Sequence, residues 1–266
     1  MRAPVDPPGV PPGSDPLAGL EERLLADLRG RATPGRDPGD LERTLRYHLG
    51  ELRLQRGAGD PGGLLRRRGL VRGRILDVGC GIGQFLLTTG QEGPADLLAG
   101  IDLDRDMLRG GAMLARAIAG GGRRPALAAG DALRLPFPDR AFDLVVCRVV
   151  LMSLPVAPAV RELARMVRPG GHLYLHLTGW GFYLGDAWRG RIPGSVFALL
   201  NGTLLHMTGR QARLRGLWNN FETPGRVSRI LRSEGLLVEA IVPGPRRFGG
   251  PLNSKLLALR PPGGAS

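Results

Sequence analysis

Ile75-Leu76-Asp77-Val78-Gly79-Cys80-Gly81-Ile82-Gly83-Gln84-Phe85 carries more information than any other stretch of this 266-residue chain. Ile75 to Val78 read as a short buried strand, and three glycines at alternate positions then lead into a helical pattern. A strand that turns sharply into a helix needs glycine for its backbone angles and for close approach of a ligand to the main chain. The helix start offers unpaired N–H groups to whatever sits there. A dinucleotide fingerprint would place its third glycine where this chain has Gln84, so the spacing argues against that ligand class.

Leu97 to Ile101 form a second apolar run that ends at Asp102, about 20 residues past the glycines. An acid at the end of a second strand is placed to accept both hydroxyls of a ribose. Ala126–Ala129 read as a third strand, followed by Gly130-Asp131-Ala132 and Leu135-Pro136-Phe137. Ala141–Cys147 form a fourth, and Arg168-Pro169-Gly170-Gly171 introduces a fifth at His172–Leu177.

With these motifs in this order, the stretch from about Arg72 to Leu177, roughly 40% of the chain, resembles a class I S-adenosylmethionine-dependent methyltransferase. Within that superfamily it is most similar to the ubiquinone/menaquinone-biosynthesis-type (type 11) branch. The branch is marked by Leu76–Gly83, by Gly100–Leu108, by Gly130–Asp143 and by the Arg-Pro-Gly-Gly turn. The resemblance implies that Asp77, Gly79, Cys80, Gly81 and Gly83 line the methionine and ribose end of the cofactor. It further implies that Asp102 binds the ribose hydroxyls and that Leu103 and Met107 pack near the adenine. Asp131 would accept from the adenine amino group, the Ala132 main chain would meet the ring, and Arg148 would stand over the methionine portion. Many relatives carry a histidine near Ser153; this chain has none there, so no contact or base from it is carried over.

The expected fold is α/β: a Rossmann-like sheet of order 3-2-1-4-5-7-6, its last strand antiparallel, flanked by helices. That order also rests on the resemblance. Leu236–Val242 and Lys255–Leu259 supply the last two strands, after a helix at Pro224–Ser233.

A formal charge of +13 ordinarily suggests nucleic acid. Here Lys255 is the only lysine, and the arginines are spread along a chain rich in Gly, Pro, Ala and Leu, the pattern of a GC-rich coding bias. The place of an adenine-methylase Asn/Asp-Pro-Pro-Tyr motif reads Cys147-Arg148-Val149-Val150, and Cys147 follows valine, unlike a cytosine C5 nucleophile. These features argue against a nucleic-acid substrate. Two cysteines in core elements fit a reducing cytoplasm, and the four histidines show no metal-ligand spacing.

Residues 1–39 read as a Pro/Gly-rich, largely disordered extension with a short helix at 16–29, begun by Ser14-Asp15-Pro16. Residues 40–71 read as a helical cap in which Asp40 caps a helix with Leu41, Leu45, Leu49 and Leu52 on one face. Tyr47, His48, Arg53 and Arg56 of that helix are candidates to touch a methionine carboxylate. The methyltransferase domain then spans 72–260, and 261–266 form a disordered tail.

Residues 178–222 are far longer than an ordinary connection, and such connections tend to be functional lids. Seven of the chain's 13 aromatics fall there, with Trp180, Phe182, Tyr183, Trp188 and Trp218 the candidates to cover an apolar or planar acceptor. Ile192–Gly209 lacks charged residues; Val196, Leu199, Leu200, Leu204 and Met207 share a face of an amphipathic helix that either packs on the core or rests on a membrane. His176 and His206 are the candidate general bases, with Glu222 and Tyr183 weaker ones. The expected activity is methyl transfer to a small or lipophilic acceptor at oxygen, carbon or nitrogen. Alternatives are an RNA or protein methyltransferase, a non-catalytic S-adenosylmethionine-binding protein and an NAD-dependent oxidoreductase. The sequence sets no oligomeric state.

Overall fold

Gly73–Val78 (β1) is an interior strand, third in the seven-stranded sheet, and the site is arranged about its carboxyl end. The computed structural model describes residues 17, 19–56, 63–89, 94–118, 123–212, 219–247 and 249–263. Ala95–Asp102 (β2) and Ala126–Ala129 (β3) pair parallel on one side of β1. Phe142–Arg148 (β4) and Val167–Thr178 (β5) pair parallel on the other. The sheet closes with Asn253–Leu259 (β9), antiparallel both to β5 and to Leu237–Pro243 (β6). The order β3-β2-β1-β4-β5-β9-β6 is thus the expected one, with the seventh sheet strand inserted between the fifth and sixth. A two-residue hairpin, Arg246–Arg247 (β7) with Gly250–Pro251 (β8), fills the connection and has no counterpart in the sequence reading.

Side chains alternate across a strand, so each face of the sheet collects one parity. Leu76, Val78, Val145, Cys147, Leu173 and Leu175 pack beneath Val156–Met166 (α6) and Pro224–Ser233 (α9). The opposite parity, Ile75, Leu144, Val146 and Tyr174, packs against Gly63–Arg67 (α3) and Gln84–Thr89 (α4).

Leu20–Gly30 (α1) and Pro38–Arg56 (α2) join the core through leucines at helical spacing. Leu17, Leu24, Leu28, Leu41, Leu45, Leu49 and Leu52 are buried with Ile82, Leu87 and residues of Arg105–Ile118 (α5). The α2 cap is Asp37, whose Oδ1 accepts the Asp40 N–H at 2.7 Å, with Pro38 as the first helical residue; Asp40 itself lies inside the helix. Ser14-Asp15-Pro16 lies outside the described residues.

Trp180–Trp188 (α7) and Ile192–Thr208 (α8) occupy the long connection after β5. Of the two seatings expected for α8, the structure turns the apolar stripe outward rather than onto the core. The helix buries Ser195, Ala198, Asn201, Gly202 and Leu205, while Val196, Leu200, Leu204 and Met207 are exposed. A Cβ on Gly202 would lie 2.3 Å from the Phe221 ring, so the small-residue face is held by close approach.

Candidate functional site

A cavity of about 590 Å³ opens at the carboxyl ends of β1, β2, β4 and β5, within the range of small-molecule sites. Its floor follows from strand parity. Asp77, Arg148 and His176 continue the parity of Ile75, Val146 and Tyr174, so three polar side chains stand where the apolar face ends. Arg148 and His176 are cross-strand partners, and Asp77 is paired with Val146 on the neighbouring strand.

Asp77 is fully buried, and its Oδ2 has no hydrogen-bond partner. Burial pushes its carboxyl up to about 6, against the pull of Arg148. The Arg148 guanidinium lies 5.4 Å above the Phe85 ring. The Gln55 side-chain amide of α2 faces both terminal nitrogens of Arg148 at 2.9 and 3.3 Å, and the donors there assign its oxygen to that position. A cation is thereby held beside a buried acid that has an unused oxygen.

The glycine turn runs past these groups. Gly79 and Gly81 adopt φ of +72° and +56°, a region that side-chain-bearing residues rarely enter. A Cβ on Gly79 would come within 2.1 Å of Val150, and one on Gly81 within 2.3 Å of the His48 ring. The Gly81 N–H donates to Asp102 Oδ2 at 2.7 Å, and the Asp104 N–H donates to Asp102 Oδ1 at 2.9 Å. A carboxylate offers about four lone-pair sites, so each Asp102 oxygen keeps room for another donor. Gln84, at the third-glycine position, is buried; its Nε2 donates to His48 Nδ1 at 3.2 Å, tying α2 to the turn. Burial lowers the pKa of His48 and so favours the neutral ring; the Gln84 amide nitrogen beside Nδ1 suits the tautomer whose proton is on Nε2.

Beyond Arg148 the chain bends through Val149 at φ +61°, a conformation rare for a β-branched residue, where its N–H donates to the His176 carbonyl at 2.9 Å. Ile101, Leu103, Gly130 and Ala132 line one end of the cavity; Ser153, Leu154, Thr178, Phe182, Leu252 and Asn253 line the other. His176 lies between, its pKa lowered to about 4 by burial, and its Nε2 has no partner.

The structure brings together Asp77, Gly79, Asp102, Leu103, Ala132, Arg148, His176 and Phe182 from the sequence reading. Several other candidates fall elsewhere. Met107 is fully buried among the α1 and α2 leucines and serves the core. The Asp131 carboxylate is exposed and accepts the Leu133 N–H at 2.9 Å, closing its own turn, while its neighbours Gly130 and Ala132 face the cavity. The Cys80 side chain is buried beneath the turn, whose backbone, with that of Gly83, shapes the loop.

His206 is no base for this cavity. Its ring nitrogens engage the Gly202 carbonyl at 2.7 Å and the Thr223 hydroxyl at 2.9 Å, and it stacks on Phe221. Tyr183 is buried and donates to the Asn220 carbonyl at 3.1 Å; Glu222 pairs with Arg226 at 3.0 Å. Trp180 packs against Gly250 of the small hairpin, and Trp188 is 77% exposed. Trp218 lies outside the described residues. Among the described lid candidates, Phe182 is the aromatic that reaches the cavity.

Of the α2 candidates, Tyr47 and His48 line the cavity, Arg53 pairs with Glu21 at 3.1 Å, and the Arg56 side chain is outside the description. Gln55, Glu51, Val149 and Asn253 are site residues that the sequence reading missed. Strand parity could have drawn attention to Asp77, Arg148 and His176 as a set, but nothing local marks a residue that arrives from another element.

Residues 76–175 match a family described as a methyltransferase domain. The chain is 39% identical over 100 residues to a demethylmenaquinone methyltransferase of Roseiflexus castenholzii, covering 37% of this chain and 40% of that protein. A demethylmenaquinone methyltransferase of Symbiobacterium thermophilum is 27% identical over 181 residues, covering 61% and 68%. The chain thus spans about 40% of the length of the first curated relatives it matches. Among solved structures, magnesium protoporphyrin IX methyltransferase from Synechocystis with bound SAH superposes with a TM-score of 0.56 at 17% identity, covering 91% of this chain and 94% of that one.

Proposed function

We propose that this chain, which carries a class I methyltransferase domain, transfers a methyl group from S-adenosylmethionine to a small apolar acceptor of the quinone type. The observation that carries the reading is the donor set at the cavity floor and directly behind it. Asp77 presents an unused buried carboxylate oxygen suited to an ammonium, and Arg148 a fixed guanidinium suited to a carboxylate. Asp102 has accepting capacity left for ribose hydroxyls, and Ile101, Leu103 and Ala132 offer apolar contact for a purine. The glycine cradle supplies the close main-chain approach such a ligand needs.

Bound there, the cofactor supplies an electrophilic methyl on its sulfonium. The chain's own residues orient and shield. Phe182 and residues Val149, Val150, Ser153 and Leu154 wall the cavity and limit water. Alignment of a nucleophile can account for ~7–11 kcal/mol of barrier lowering in favourable cases. His176, neutral at pH 7, offers Nε2 to accept a hydrogen bond from an acceptor hydroxyl and so to orient it. The quinone-type acceptor is supported by the similarity to demethylmenaquinone methyltransferases. Among the described residues no helix is long and apolar enough to cross a membrane. We place the chain in the cytoplasm, in peripheral contact with the membrane where such acceptors partition.

The test is incubation of the full chain with methyl-labelled S-adenosylmethionine and a prenylated naphthoquinol lacking its ring methyl. Labelled product and S-adenosylhomocysteine in equal amounts are expected by mass spectrometry. Cofactor binding without product would overturn the acceptor; no cofactor binding would overturn the whole reading.

A further inference from the structure

We infer that the outward face of α8, extended by Trp188 at the end of α7, docks the molecule on an anionic lipid bilayer. The inference rests on the peripheral contact proposed above and names its surface and the charge of its partner.

Orientation comes first. The inward face of α8 is fixed by specific contacts: Gly202 lies under the Phe221 ring, Asn201 Nδ2 donates to the Asn219 carbonyl at 3.3 Å, and Asn201 Oδ1 accepts the Ala212 N–H at 2.7 Å. The outward face is therefore imposed. It carries Ile192, Val196, Leu200, Leu204 and Met207, which are 56%, 44%, 67%, 40% and 81% exposed. Steps of four, four, four and three residues keep them on one stripe of a helix about 25 Å long. Such a stripe exceeds the scattered apolar exposure of ordinary surfaces.

Charge then selects the partner. From Ala187 to Phe221 the sequence holds five arginines and no aspartate or glutamate. Arg189 and Arg191 stand at the amino end of the stripe with side chains 57% and 73% exposed, sharing the single Asp186 at 3.7 and 3.3 Å. Arg210 is exposed just past the carboxyl end. Cations at both ends disfavour a second copy, because pairing two stripes antiparallel sets arginine against arginine. A nucleic acid would meet the arginines but leave the leucines in water. An anionic bilayer satisfies both: apolar side chains enter the acyl boundary, arginines meet phosphates, and Trp188 suits the headgroup level. The face also adjoins the site, since α7 packs on α8 and carries Phe182 into the cavity.

The experiment is co-sedimentation of the full chain with phosphatidylcholine vesicles and with phosphatidylcholine–phosphatidylglycerol vesicles. Wild type should partition onto the anionic vesicles, and Leu200→Asp/Met207→Asp should lower that partition about tenfold or more. S-adenosylmethionine affinity and thermal midpoint should not change, which separates this result from any failure of methyl transfer. Should the double variant fail to fold, Met207→Asp alone should still weaken partition severalfold. Equal partition of folded variant and wild type would overturn the inference, since attraction would then be general charge alone. So would absence of vesicle binding, or a wild-type dimer that the double variant dissociates.

Discussion

Asp77 shows how one residue serves the site at the expense of the fold. Its carboxyl, raised by burial to about 6 from 3.8, makes ionisation costly in the free protein. The destabilisation is fully present above pH 6 and disappears as pH falls through 3.8, because the folded state then holds the extra proton. Asp77→Asn should therefore stabilise the free protein at pH 8 by about 3 kcal/mol, with a gain of under about 1 kcal/mol at pH 4, and weaken S-adenosylmethionine binding at both. Denaturant unfolding at the two pH values checks it. Val149 bears a second local strain, of the order of 1–3 kcal/mol for a residue held in this region. Val149→Gly should raise stability by about 1 kcal/mol in the same assay, since glycine adopts φ +61° freely. His176→Ala should lower turnover about 100-fold while cofactor affinity stays within about twofold, as expected of an acceptor-orienting group. At this scale the Gly-x-Gly-x-Gly turn and Asp102 were legible because backbone geometry demands those residue types. His206 and Met107 were misread because a residue type does not reveal its partner: Gly202, Thr223 and the α1 leucines had already claimed them.

The elements divide along the same line. Strands β1, β2, β4 and β5 were readable because buried parallel strands are continuous apolar runs, punctuated here by Gly, Asp and Pro, and the exposed edge strand β3 was readable from its place before Gly130-Asp131. Helix α2 was readable as a leucine face. Its role was not, since Tyr47 and His48 reach the cavity, and Gln55 reaches Arg148, only through its docking on the glycine turn. That docking depends on the α1–α2 leucine cluster. Leu45→Ala should cost about 2–5 kcal/mol and weaken cofactor binding along with stability, read by thermal unfolding and calorimetry. The lid was legible as an amphipathic helix, but which way its apolar face turns was not, for a physical reason. Hydrophobic periodicity assumes that the apolar face turns inward, whereas α8 is seated by small and amide-bearing residues that allow close approach. Its aromatics follow the same logic: Tyr183 and Trp180 build the subdomain, and Phe182 alone among the described lid candidates reaches the cavity.

For the whole molecule, the large positive charge says less about partners than its size suggests. Many arginines fasten the fold: Arg46 and Arg53 join α2 to Glu21 of α1, Arg36 reaches Asp104 beside the site, and Arg165 binds both Glu162 and Asp139. The sheet order and the placement of the cavity at its carboxyl edge bring Asp77, Asp102 and Arg148 together from three strands. The central claim is that this convergence binds S-adenosylmethionine. Titration calorimetry of the full chain with S-adenosylmethionine and with NAD, on wild type and Asp102→Ala, tests it most directly. Wild type should bind S-adenosylmethionine and not NAD, and Asp102→Ala should bind about tenfold more weakly, a loss of about 1.4 kcal/mol. Unchanged affinity in a folded Asp102→Ala protein, or binding of NAD in place of S-adenosylmethionine, would contradict it.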